Sequence, residues 1–296
     1  MKKIIFLLLF ILIYSTNIFS QNNKVGEKYV FEFRDGTTII GTFIKEEQGN
    51  IYITDESGKE TYIPEVMVVN VISFESSLVK NGEYWFPNLH DSRYFFSPSA
   101  FGLEKGEGYY STSYFYLWQA QIGITDNFSF GAGTTPLGIP IMLNVKLTST
   151  LSEKSNLAYG WLFVTDRTGN LFSLNMPFSV YTAGTKENNF TIGTGLAISD
   201  NIGAEDIVIN LATTRRLSKR FSFVFETWVF YAFSDINIRF LGGPGLRYFR
   251  KINRITARNG AGASTWDFQF LTTPELLNQK DAPIIFIPMV GRSWKF

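Results

Sequence analysis

The chain is patterned by alternation. In "IMLNVKLTSTL", Ile141, Leu143, Val145, Leu147 and Leu151 fall on one parity, and Met142, Asn144, Lys146, Thr148 and Thr150 on the other. Side chains alternate across an extended strand, so this stretch predicts a strand with one apolar and one polar face. "FTIGTGLAIS" sets Phe190, Ile192, Leu196 and Ile198 against Thr191, Gly193, Gly195, Ala197 and Ser199. In "FSFVFETWVFYAF", Phe221, Phe223, Phe225, Val229, Tyr231 and Phe233 share a face opposite Glu226, and in "TWDFQF" Trp266, Phe268 and Phe270 lie opposite Asp267 and Gln269. Many of these segments run to about 9 to 13 residues, against about 5 or 6 in ordinary sheets. A tilted strand needs about 9 to 11 residues to cross a bilayer. Beyond the amino-terminal leader the chain has no apolar run long enough for a helical span, which leaves a closed barrel as the membrane solution.

The connections support that reading. "TDN" before Phe128, "SEKSN" before Leu157, "TKENN" before Phe190, "LSKR" before Phe221 and "RKINR" before Ile255 are short and polar, and recur every 29 to 34 residues or so. Two strands fit in each interval, so these turns share one end. The alternate connections at 134–140, 165–170, 200–206 and 272–283 are richer in Gly and Pro, and the last is longer. Short turns at one end and longer loops at the other are the asymmetry of an outer-membrane barrel. Taking "SRYFFSPSAF" (92–101) as the first strand and "YYSTSYFYLWQAQIGI" (109–124) as the second gives about twelve strands, within a range of ten to fourteen, ending on "IIFIPMVGRSWKF". An even count places both ends of the barrel on the tight-turn side, which would be periplasmic. Gly242, Gly243, Pro244 and Gly245 predict a bulge or bend in the tenth strand.

Residues 25–80 follow a different rhythm. Short β-rich runs at 29–33, 38–44, 51–54, 61–63 and 67–72 are separated by turn signals such as Asp35-Gly36 and Ser57-Gly58. "DGTTIIGTFIKEEQGNIYITD" resembles the strand-turn-strand rhythm of SH3-like or Sm-like small barrels, and predicts a small closed or half-closed β-barrel domain in the periplasm. It serves either as a binding module or as a spacer. Residues 81–91 are read as a linker and 92–296 as the barrel. The expected fold is therefore all-β: a transmembrane antiparallel β-barrel preceded by a small SH3-like domain.

Composition sharpens the picture. Lys2 and Lys3 precede an apolar run at 4–14, read as a signal peptide over 1–20; the run is too short for a spanning helix. Roughly 276 residues remain, enough for one large or two unequal domains. Lys and Arg number 27 against 26 Asp and Glu, with no basic run suited to nucleic acid. Aromatics reach 17% of the chain while charged residues reach only 18%, so many rings need an apolar surrounding. With no Cys, the chain has neither disulfides nor thiolate metal ligands.

The pieces "RYFFSPSAF", "KGEGYY" and "GITDNFSFG", within residues 88–133, resemble a largely uncharacterised family of Gram-negative outer-membrane β-barrel proteins. The likeness extends more loosely through the later hairpins to Phe296. It implies the cell outer membrane as location, outer-membrane lipid and the barrel assembly machinery as partners, and no settled activity. It also implies that Trp294 and Phe296, on one face of the last strand with Val290, form the assembly signal. Arg292 shares that face and is expected to snorkel toward headgroups or sit in a local bulge.

Candidate chemistry lies on the polar faces. Asn144, Lys146, Glu226, Arg239, Asp267 and Gln269 are the lumen-lining candidates, together with Gln119, Gln121 and Asn210. They line a solute pathway, or close it by pairing Lys146 or Arg239 with Glu226 or Asp267. Tyr110, Trp118, Trp228 and Trp294 are candidate interface anchors, although Trp228 falls on the inward parity. His90, the sole histidine, has Asp91 and Ser92 beside it, but neighbours on an extended chain point to opposite sides and form no triad. It is read as an exposed or rim-capping residue. No catalytic residue, metal site or cofactor is expected. The sequence thus supports a porin-like or small-solute channel, or else a closed anchor whose leading domain binds a periplasmic protein partner. A lipid-modifying enzyme is a remote third.

Overall fold

The computed structural model describes residues 23–80, 83–166, 172–199, 205–232, 238–250, 262–274 and 286–296. The leader at 1–20, Phe233 and most of the connections at 167–170, 200–204, 251–254 and 275–283 lie outside these. Five strands form a leading antiparallel sheet: β1 (Lys28–Phe33), β2 (Thr38–Glu47), β3 (Asn50–Asp55), β4 (Glu60–Pro64) and β5 (Val68–Ser73). Their order is β4-β3-β2-β1-β5, so the five expected strands are present while the β4 and β5 edges do not pair to close the ladder. One face buries Tyr29, Phe31, Phe43, Ile51, Ile53 and Ile63 as a core. A two-residue ladder of β6 (Val79–Lys80) and β7 (Glu83–Tyr84) follows, with Tyr84 packed on Val30 and Leu78.

Twelve further strands close into an antiparallel barrel. They are β8 (Gly108–Ser113), β9 (Leu117–Thr125), β10 (Phe128–Thr134), β11 (Ile141–Ser152), β12 (Ser155–Thr165) and β13 (Ser173–Gly184), then β14 (Asn188–Ile198), β15 (Glu205–Arg216), β16 (Phe221–Ala232), β17 (Ile238–Phe249), β18 (Ser264–Leu271) and β19 (Ile287–Lys295). Closure is made by β19 on β8, with Trp294 opposite Tyr110 and Lys295 opposite Tyr109. The alternation read from sequence holds: Leu143, Leu147, Phe190, Ile192, Phe221, Phe268 and Phe270 are exposed on the outside, while Lys146, Thr191, Asn210, Glu226, Asp267 and Gln269 are buried inside. A closed ladder satisfies every strand's backbone within the sheet, which is what a lipid surrounding demands.

The count of twelve is right, but its first members are not. Residues 92–101 form no barrel strand, and 109–124 divides into β8 and β9. The dividing turn carries positive φ at both Tyr114 (53°) and Phe115 (57°), and the Tyr116 amide donates to the Ser113 carbonyl at 3.0 Å. Two left-handed residues in a row make a tight hairpin turn normally written with Asn and Gly, and cost about 1 to 2 kcal/mol each in other residues. Anchoring offsets this: Tyr114 Oη donates to the Pro288 carbonyl at 2.7 Å, and the Phe115 ring meets Trp266 edge-on at 5.9 Å. Sequence reading missed the turn because its usual residues are absent.

The bulge expected at Gly242 to Gly245 is absent against β16, where Glu226 faces Gly243 and Phe225 faces Pro244 in step, but the ladder with β18 stops at Gly245 and resumes only as an isolated bridge from Gly242 to Thr272. The glycines are there for close approach, since a Cβ on Gly245 would lie 2.2 Å from the Phe268 carbonyl oxygen and 2.7 Å from the Phe95 ring. Arg292 does not sit in a bulge, since β19 runs in step with both β18 and β8. Its guanidinium lies 4.4 Å from the Trp294 ring and 5.0 Å from that of Trp266, so two indoles hold its charge on the outer face. Arg292→Ala is expected to cost about 1 to 2 kcal/mol of barrel stability, with Arg292→Lys intermediate, measured by denaturant unfolding of the protein in lipid vesicles.

Candidate functional site: a segment folded into the lumen

Residues 88–103, between the leading sheet and β8, occupy the barrel interior. Pro98 blocks a regular ladder and the stretch lacks a clean apolar parity, so the chain turns back on itself instead of crossing. Tyr94 donates its amide to the Ser97 carbonyl at 2.9 Å, Ser99 donates to Ser92 at 3.1 Å, and Arg93 bridges Pro98. The tip of this inner hairpin is Tyr94, Phe95, Phe96 and Ser97.

Much of the hairpin's backbone is answered by polar groups of the wall. The amides of Phe95 and Phe96 donate to Glu226 Oε2 at 2.7 and 3.0 Å, and that of Ser97 donates to Oε1 at 3.0 Å. Trp228 Nε1 completes the carboxylate's shell at 2.8 Å. The hairpin's carbonyls are met by cations. Lys146 Nζ donates to Ser92, Ser99 and Phe101 at 3.2, 3.1 and 2.8 Å, using all three of its N–H bonds. Arg247 donates to the carbonyls of His90, Arg93 and Tyr94 and grips Asp267 through Nε at 2.8 Å and Nη2 at 3.2 Å, using all five. Asp267 also receives Arg93 at 3.1 Å, and Arg93 donates to Ser293 Oγ. Across the barrel, Tyr94 Oη lies 2.5 Å from Asn189 Oδ1 and 2.6 Å from Thr191 Oγ1, while the Ala100 amide donates to Thr182 Oγ1 at 2.8 Å.

Both stems of the hairpin lie at the end of the barrel where the short turns are. On the entering side the Asn88 amide donates to Glu187 at 2.6 Å, and Phe86 packs on Phe249 beneath the Arg216 guanidinium, which lies 4.9 and 4.0 Å from their rings. On the leaving side the Lys105 amide donates to Asp126 at 2.9 Å, and Gly102 fits against Thr148 where a Cβ would clash at 2.8 Å.

His90 is buried at the root of the hairpin, not exposed as expected, being 2% accessible. Its Nε2 lies 3.1 and 3.2 Å from the carbonyl oxygens of Gly262 and Ala263, so the neutral ring donates from Nε2, and Nδ1 has no partner. Burial, then the positive charges of Arg247, Arg93 and Lys295, hold the imidazolium well below its ordinary range. Neither Ser92 nor Asp91 is bonded to its ring nitrogens.

Of the candidates named from sequence, Lys146, Glu226 and Asp267 converge on the hairpin, and Gln269 lies behind Glu226, donating at 3.4 Å to its carbonyl. Asn144 lines the cavity above. Arg239 shares the inward parity opposite Phe230 but is exposed at the loop end. The expected pairing of Lys146 or Arg239 with Glu226 or Asp267 is absent among the described residues. The lysine binds carbonyls, Glu226 binds amides, and Asp267 binds Arg93 and Arg247. Those two arginines went unmarked, although Arg247 lies an even step along the strand from Arg239 and so on the same inward parity.

A closed antiparallel barrel with an apolar outside and a polar, charge-bearing inside defines a transmembrane β-barrel protein. Among solved structures, the chain is similar to the KdgM porin in complex with disordered oligogalacturonate, at 8% identity and a TM-score of 0.44 over 64% of this chain and 98% of that one. It is similar also to the NanC porin, at 12% and 0.44 over 64% and 99%, and to OmpTdeltaL8, a loop-deletion mutant of an outer membrane protein of Vibrio cholerae, at 12% and 0.35 over 91% and 96%. No protein-family model and no curated protein sequence matches the chain.

Two outcomes test the site. Glu226→Ala leaves three buried amides without an acceptor and is expected to destabilise the seated hairpin by about 3 to 5 kcal/mol. Hydrogen exchange at Phe95, Phe96 and Ser97 should accelerate by at least a hundredfold or so, and more gently in Glu226→Gln. For His90, the unfolded ring binds a proton below about pH 6.5 while the seated ring resists one. Stability is therefore whole above that pH and is lost as pH falls below it. The protection factors of the hairpin amides, which allow for the slower intrinsic exchange at lower pH, should fall about tenfold on lowering the pH from about 7.5 to about 5.5, and His90→Gln should flatten the response.

Proposed function

We propose that the protein is an outer-membrane β-barrel of the small-solute channel kind, closed at rest by its own residues 88–103. The observation that carries this reading is how the closure is made. The hairpin is seated by hydrogen bonds and ion pairs to a polar wall, alongside apolar contacts of Tyr94 and Phe95 with Ala212, Val224 and Met289 and of Ala100 with Ala158 and Val180. The surface it covers, with Lys146, Thr182, Thr191, Glu226, Arg247 and Asp267, has the polar, charged character of an aqueous passage. On this reading the end with short turns faces the periplasm, which places the leading sheet there. Trp294 on the last strand and Phe296 just past its end then stand where the assembly machinery would meet them.

A second reading is favoured by the completeness of the seal. If the hairpin never leaves, the barrel is an anchor and the leading sheet is the working part, binding a periplasmic protein partner along its unpaired β4 or β5 edge.

Planar-bilayer recording separates the two. Intact protein should show little current, and a variant with 88–103 replaced by a short Gly-Ser connection should show discrete conductance steps. Glu226→Ala should give brief openings. A folded excision variant with no current above background would remove the channel reading and leave the anchor.

A further inference from the structure

The lumen is divided along its axis. Its lower half carries most of the buried charge and is occupied by the hairpin, while its upper half, toward the loop end, is open and richer in apolar side chains. A cavity of about 270 Å³ lies there, floored by Phe96 and Pro98 and walled chiefly by Met142, Leu162, Met176 and Trp228. Beside it, across Phe96 and Trp228, a second cavity of about 270 Å³ runs along Phe230, Leu241 and Leu271, near the loop ends of their strands. Inward residues of a water-filled barrel are ordinarily polar, and this lining is more apolar than that. It is what a pocket for apolar matter requires. The two methionines add adaptable, polarizable walls.

A small set of amides interrupts the apolar lining. Asn210 is 3% exposed and donates through Nδ2 to the Thr227 carbonyl at 3.1 Å, while its Oδ1 has no partner among the described residues. An acceptor left so costs about 1 to 3 kcal/mol, and a donor brought by a ligand removes that cost. Gln119, Gln121 and Asn144 line the same space, with Ser92, Tyr109 and Thr194. The two cations that line this cavity are engaged: the three N–H bonds of Lys146 go to hairpin carbonyls, and Arg93 bonds Asp267, with its Nε left unpartnered among the described residues.

We propose that the upper lumen binds a small uncharged amphiphile of about ten to fifteen heavy atoms, carrying one hydrogen-bond donor such as a hydroxyl or amide N–H. The donor meets Asn210 Oδ1, and the apolar body lies among Met142, Leu162, Met176 and Trp228 above Phe96. An anionic head group would have to compete with Asp267 for Arg93 and with the hairpin carbonyls for Lys146, and would otherwise be desolvated. The site is complete with the hairpin seated, so it does not depend on the hairpin ever leaving.

The test uses the full chain in lipid nanodiscs and a diazirine-bearing octanol, with cross-links mapped by mass spectrometry. Labelling of lumen residues should saturate and be competed by 1-octanol, and much less by octanoate at about pH 8, where the carboxylate is ionised. Asn210→Leu should weaken the octanol competition about five- to tenfold. Met176→Trp should fill the cavity and abolish lumen labelling while leaving labelling of outward Leu143 and Ile209 intact. Unboiled gel mobility confirms that each variant is folded, and the mapping on unaltered protein decides the matter if one is not. Labelling confined to outward residues, lumen labelling that octanol does not reduce, equal competition by octanoate, or an Asn210→Leu variant with unchanged competition would each overturn the proposal. A barrel that conducts after excision of 88–103 but shows no lumen labelling overturns this inference alone, and a silent barrel that labels overturns only the channel.

Discussion

A barrel of about eight strands is just wide enough for its own side chains to fill; twelve enclose more. The surplus space has to hold water, a ligand or additional chain, and here its lower half holds additional chain. A peptide segment brings its own unpaired N–H and C=O groups into that space, and each needs a partner. The arrangement of charge inside the barrel follows from this requirement. Glu226 is where it is because three amides at the tip of the inner hairpin point one way. Lys146 and Arg247 are where they are because six carbonyls point others. Asp267 neutralises what the two arginines leave over. The interior charges are answers to a backbone before they are anything else.

This explains which parts of the molecule were legible in sequence. The strands from β10 onward repeat a strict two-residue period, and outward Phe190 or Leu147 cannot be exchanged with inward Thr191 or Lys146 without reversing a whole strand. Such segments read correctly. The closing hairpin did not, because Tyr114 and Phe115 take a turn conformation through tertiary anchoring and not through turn chemistry. Residues 92–101 were mistaken for a strand of the wall because tyrosine, phenylalanine and serine suit either place. Only Pro98 dissented, and one proline allows an edge or a bulge as readily as a fold-back. The inward parity of Glu226, Asp267 and Lys146 was readable. Their partners were not, since parity gives the face of a sheet and nothing about the segment that comes to lie against it.

The same logic gives the interior its two zones. Polar residues cluster at the levels where the hairpin lies, and once its tip is passed the wall turns to Met142, Leu162, Met176 and Trp228. Phe96 belongs to both zones, its amide turned down to Glu226 and its ring forming the floor of the cavity above. A change in what fills the cavity therefore bears directly on the residue at the tip of the closure, and a change in the closure alters the floor of the cavity.

The stems at Asn88 and Lys105 lie at one rim. A segment that goes in and comes out by the same mouth passes no free end through the ring of strands, so seating it ties no knot. The ring can zip shut between β8 and β19 before the hairpin arrives, or around it, without any topological obstacle to either order. During biogenesis the wall and its stopper are in this respect separable tasks, and the ring can be proofread for closure while its interior is still wet.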